Sequence, residues 1–138
     1  MLKERIKFKD FEDRDREMDF YFHLSESELS EMEMSKNGGL TKLLKRIIDE
    51  DDMEKLAGYF KDLILKSYGI KSNDGLRFEK SEEISRNFSH TNAYNMLYMS
   101  LIKDADKAAA FVNGIVPKEL RASASTEIGE AGAVGRTN

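Results

Sequence analysis

The sequence predicts a mainly α fold: a bundle of about five to six helices with an N-terminal β-hairpin and a disordered C-terminal tail. Three observations carry this. Apolar and charged residues alternate at period two as far as Leu24. From Ser25 the apolar spacing changes to three and four and keeps that rhythm to about residue 113. Beyond Pro117 large apolar residues almost vanish. At 138 residues the chain suits one domain, here 1–117, with the hairpin over 1–24, helices over 25–117, and a flexible tail over 118–138.

In the hairpin, Leu2, Ile6 and Phe8 and then Met18, Phe20, Phe22 and Leu24 hold even positions, and most odd neighbours are charged. That alternation puts one face on a core and one in water. The run from Asp10 to Arg16 is too polar to bury and serves as the loop. Tyr21 and His23 fall on the face opposite the phenylalanines.

Ser25 with Glu28 has the spacing of a capping box, in which hydroxyl and carboxylate each satisfy an end-of-helix N–H. It opens a helix from Ser25 to Met34, stopped by Asn37-Gly38-Gly39. A second helix runs from about Leu40 to Asp49, with Leu40, Leu43, Leu44, Ile47 and Ile48 on one side. Asp51 and Glu54 repeat the capping spacing. They open a helix whose stripe is Met53, Leu56, Ala57, Phe60, Leu63, Ile64 and Tyr68, closed by Gly69. Ser72-Asn73-Asp74-Gly75 is a turn, and Leu76-Arg77-Phe78 an extended link or very short strand. Ser81 caps a short helix through Phe88. Ser89 or Thr91 caps the next, which carries Ala93, Tyr94, Leu97, Tyr98 and Leu101. A last helix runs from Asp104 to Asn113 and ends at Gly114, and Pro117 marks the boundary. The tail beyond holds only Leu120, Ile128 and Val134 as large apolar residues, too few to offset its ordering entropy.

Composition excludes several classes. The net charge of -4 disfavours general nucleic-acid binding, which needs a basic face. With no cysteine there is neither a disulfide framework nor a thiolate zinc site. No apolar run approaches the ~20 residues of a membrane span, and Met1-Leu2-Lys3-Glu4-Arg5 lacks a signal-peptide core, so a cytoplasmic protein without membrane contact is expected.

Signs of catalysis are equally thin. Asp10, Glu12, Asp13, Asp15, Glu17 and Asp19 form an acidic loop, but Asp15 stands where a calcium loop starting at Asp10 requires glycine, and arginines interleave. A solvated hairpin loop explains the charges. His23 and His90 are too few for a three-histidine zinc site, and Ser89 next to His90 does not make a triad. Glu82-Glu83 and the run Asp49 to Asp52 lie at helix ends, where carboxylates stay wet. Gly38-Gly39 has no phosphate-loop context. The sequence is read as a non-enzyme with no cofactor and no metal. One helix is apolar over more of its circumference than a surface helix needs. Tyr94, Met96, Tyr98 and Met99 are therefore the candidate partner-binding residues, since methionine repacks around varied partners.

Several segments, taken in order, resemble the tail assembly chaperones of long-tailed, siphovirus-type bacteriophages. They are Glu17 to Leu29, Gly38-Gly39-Leu40 with the helix over Leu43 to Glu50, Phe60 to Gly69 with Lys71 to Gly75 and Arg77-Phe78, Phe88 to Tyr94, and Ala109 to Pro117. The resemblance spans about residues 5–117 and lies in order and spacing, not in a catalytic signature. It implies a protein of the host cell cytoplasm that binds the tape-measure protein, keeps it soluble, recruits the tail-tube protein, and is absent from the mature virion. It also implies that a longer form made by translational frameshifting can be a partner. A minor tail or connector protein retained in the virion is the alternative. The hairpin edge leaves a homo-oligomer open by strand addition.

Overall fold

A computed structural model describes residues 1–32, 39–49 and 53–117. The predicted stop at Asn37-Gly38, the cap at Asp51, the side chains of Met34, Leu40, Leu44, Ile48 and Met53, and the tail over 118–138 lie outside the described residues.

The hairpin is present. Strands β1 (Leu2–Lys9) and β2 (Asp15–Phe22) pair antiparallel, with Leu2 opposite Phe22 and Lys9 opposite Asp15. The even face turns inward as the alternation requires: Ile6, Phe20, Phe22 and Leu24 are buried, and Leu2 and Phe8 pack against them. Met18 departs from its expected place and is 42% exposed. The neighbouring strand pairs β2 only at Tyr21 and Phe22, so the far half of the hairpin extends past the sheet.

That neighbour corrects the sequence reading. Among the described residues the sheet has four strands in the order β1-β2-β3-β4, where β3 is Tyr68–Lys71 and β4 is Phe78–Glu79. The long helix expected over Met53 to Tyr68 is instead one 3-10 turn, Met53–Leu56, followed by an α-helix over Ala57–Ser67. Tyr68 is the first residue of β3, opposite Phe22. Gly69 does not merely end a helix. A side-chain carbon there would stand 2.7 Å from the Phe78 ring and 2.9 Å from the Glu79 carbonyl oxygen. Strand β4 can close on β3 only over a glycine.

Six helices complete the described fold: α1 (Glu26–Glu31), α2 (Gly39–Asp49), α3 (Ala57–Ser67), α4 (Glu82–Ser89), α5 (Asn92–Lys103) and α6 (Ala105–Ile115). The architecture is thus mainly helical, with a small antiparallel sheet rather than a lone hairpin. The Ser25–Glu28 capping box forms as expected, and Ser81 caps α4. Gly39 begins α2 rather than ending α1. Of the α2 stripe, Leu43 and Ile47 are buried. Helix α6 runs through Gly114 to Ile115. Gly114 sits inside that helix with Leu2 lying over it, 2.9 Å from where a side-chain carbon would be.

The centre is aromatic. Tyr68 stacks on Phe88 at 4.0 Å between ring centroids, and Phe22 meets Phe88 and Phe111 edge-on at 5.8 and 5.4 Å. Two backbone bonds tie the exit of β2 to distant elements: His23 N–H donates to the Ser67 carbonyl (2.8 Å) and Leu24 N–H to the Ile115 carbonyl (2.7 Å).

Candidate partner-binding surface

Helix α5 forms the centre of the candidate surface. Thr91 starts it: its hydroxyl donates to the Phe88 carbonyl (2.7 Å) and accepts from the Tyr94 N–H (3.1 Å). Of the two caps the sequence allowed, Thr91 is the one used. Ala93, Leu97 and Leu101 are buried and fix the helix's rotation against the core.

The four sequence candidates divide around this axis. Tyr94 and Tyr98 are half-buried, stacked at 5.9 Å, with the Tyr94 ring edge-on to Phe88 at 5.9 Å. Burial, and then the neighbouring Tyr98 and Asp62, push the Tyr94 hydroxyl pKa up. Met96 and Met99 are 53% and 41% exposed. Successive helical residues turn by about 100°, so Met96 points roughly 160° away from both tyrosines. The structure therefore pairs the tyrosines as packing at the border of the core and leaves the methionines in solvent, with Met96 on the β1 side.

Beside Met96 a groove runs between α5 and β1. Its proximal part, about 380 Å³, is lined by Glu4, Ile6, Lys7, Met96, Ser100 and Lys107 among others. Its distal part, about 770 Å³, includes Lys7, Lys9, Asp15, Arg16, Glu17 and Met96. Lys7 and Met96 line both parts. Burial pushes the Glu4 carboxyl pKa up, and Lys107 works against that. Asn92 crosses the distal end, donating its amide to the Lys9 carbonyl at 2.8 Å. Sequence reasoning missed this groove because it exists only once β1 is an outer strand and α5 runs beside it. The alternation of Lys3, Arg5, Lys7 and Lys9 was its one visible trace.

The remaining candidates sit in and just after the hairpin and at the ends of α4. One Asp10 carboxylate oxygen accepts from the Glu12 and Arg14 N–H groups and the other from the Arg16 guanidinium, so the acidic loop is organised from within. Hydrogen bonds from both backbone amides, more than the Arg16 charge, hold the Asp10 pKa below its ordinary value. Asp13 takes a positive φ of 62° at the tip. Among the described residues no three carboxylate or histidine groups are placed to share a metal ion. The Ser89 hydroxyl donates to the Arg86 carbonyl, His90 is the exposed residue after α4, and His23 lies edge-on to Phe78. Glu82 and Glu83 are exposed in the first turn of α4. Among the described residues, no helix is long and apolar enough to cross a membrane.

A family model described as phage tail assembly chaperone matches residues 1–137, and the chain belongs to that family. No curated protein and no solved structure matches it.

Proposed function

We propose that this phage tail assembly chaperone binds the tape-measure protein in the host cell cytoplasm, keeps it soluble while the tail-tube protein is recruited, and leaves before the virion is complete. The observation that supports this beyond family membership is α5. It is a helix locked by three buried side chains that nonetheless holds Met96 and Met99 in water. Adaptable thioethers on a rigid support suit shallow contact with the apolar stripe of a long helical partner. Tyr94 and Tyr98 set the border of that contact and hold α5 in place. The role is binding without chemistry, and a frameshifted longer form would present the same surface.

The test is co-expression with the tape-measure protein. Wild-type chain should keep it in the soluble fraction and co-purify with it and with the tail-tube protein. Met96→Glu with Met99→Glu should abolish both effects while the variant's melting curve stays unchanged. Mass spectrometry of purified virions should find the chain absent. A fixed copy number there would identify a structural tail or connector component instead.

A further inference from the structure

We propose that the outer edge of β1 accepts an extended segment of a partner protein, acidic at alternate positions and apolar between them. This mode differs from the helix contact proposed above and shares only Met96 with it.

The ladder fixes which backbone groups of β1 point away from β2. The Asp10 N–H bonds to the Arg14 carbonyl, so even residues of β1 exchange hydrogen bonds with β2 and odd residues point their backbone groups outward. The Lys9 carbonyl is taken by Asn92. Among the described residues, the outward N–H and C=O groups of Arg5 and Lys7 have no hydrogen-bond partner. Such a row is a template for another strand.

Charge chooses the occupant. Arg5 is held by Glu17 (3.0 Å) and Asp19 (2.9 Å), and Lys9 by Asp15 (2.9 Å), but among the described residues Lys3 and Lys7 have no ion pair. In the proximal groove Arg5 is taken up by Glu17 and Asp19 and Lys107 faces Glu4, which leaves Lys7 as the uncompensated positive charge beside the edge, with Lys3 further along β1. A second copy fits badly. Pairing β1 with β1 sets odd residues against odd residues, and every one of them is lysine or arginine. An added strand with carboxylates at those positions meets complementary charge. Its alternate side chains turn to the inner face, where Met96 waits exposed beside Ile6.

The experiment titrates isotope-labelled protein with a short synthetic peptide of alternating glutamate and valine, and with its lysine–valine counterpart. Expected are saturable binding of the acidic peptide alone, at least tenfold slower amide exchange at Arg5 and Lys7, and weakening with salt. Lys7→Pro removes an outward N–H without touching the β2 ladder and should reduce binding at least tenfold. Lys7→Glu, which keeps the backbone, should shift preference toward the lysine peptide, and a melting curve for each variant shows that the fold persists. Equal binding of both peptides, exchange protection absent from β1, or sedimentation showing a dimer paired through β1 would overturn the proposal. Loss of tape-measure solubilisation in the Met99→Glu variant with peptide binding intact would separate the two modes.

Discussion

Single residues set the tolerances of this fold, and its glycines show it best. At Gly69 an added carbon meets ring atoms of Phe78 and the fixed Glu79 carbonyl, and the backbone oxygen cannot give way cheaply. Gly69→Ala should cost about 1–3 kcal/mol of stability in urea melts. Gly58, in the first turn of α3, has nothing within 4 Å, and Gly58→Ala should stabilise by about 0.5–1 kcal/mol in the same assay. The Glu28–Lys80 pair (2.8 Å) acts at the same scale, joining α1 to the residue after β4 while the Lys80 ammonium also reaches the His23 carbonyl (2.6 Å). Burial raises the Glu28 pKa, but hydrogen bonds from Lys80 and the Ser25 N–H together outweigh it and leave the carboxyl below its ordinary 4.5. A carboxyl with a depressed folded-state pKa contributes its stability fully above the unfolded value and loses it as pH falls through the folded one. Melting temperature should therefore fall as the pH is lowered from 4.5, and Glu28→Gln should flatten that part of the profile.

Whole elements were legible in the sequence where their cause is local. The hairpin announced itself by alternation, and α1 and α4 by serine caps whose partners lie three residues on. Thr91 belongs to this class. Thr91→Ala should cost about 1 kcal/mol by chemical denaturation, and Thr91→Ser should restore most of it, because the hydroxyl is what caps α5. Strand β3 was illegible for the opposite reason. Tyr68 stands four residues after Ile64 and so continues the apolar stripe of α3, but its conformation is decided by pairing with Phe22. Gly114 misled in the same way, since it lies inside α6 and its missing side chain makes room for Leu2, far off in the chain. For the candidate surface, the exposure of Met96 and Met99 followed from their lying off the Leu97–Leu101 stripe. The tyrosines' separation from Met96 was implicit in the helical period, whereas the groove depended on the sheet.

At the scale of the whole molecule, β2, β3, α4 and α6 meet in one aromatic cluster, and backbone bonds from His23 and Leu24 lock the hairpin to both α3 and α6. We expect residues 1–117 to unfold in a single transition. Far-ultraviolet dichroism and tyrosine fluorescence, which no tryptophan obscures, should give coincident curves, and two separated midpoints would contradict it. The same cluster imposes an order on biosynthesis. The hairpin leaves the ribosome ahead of α4 and α6, carrying Phe20 and Phe22 on one face, and Phe88 and Phe111, which cover them, are translated dozens of residues later. At about 5–20 residues per second, that face stays uncovered for several seconds or more. Until α6 emerges, a protein of a chaperone family is itself a nascent chain with an unprotected apolar face.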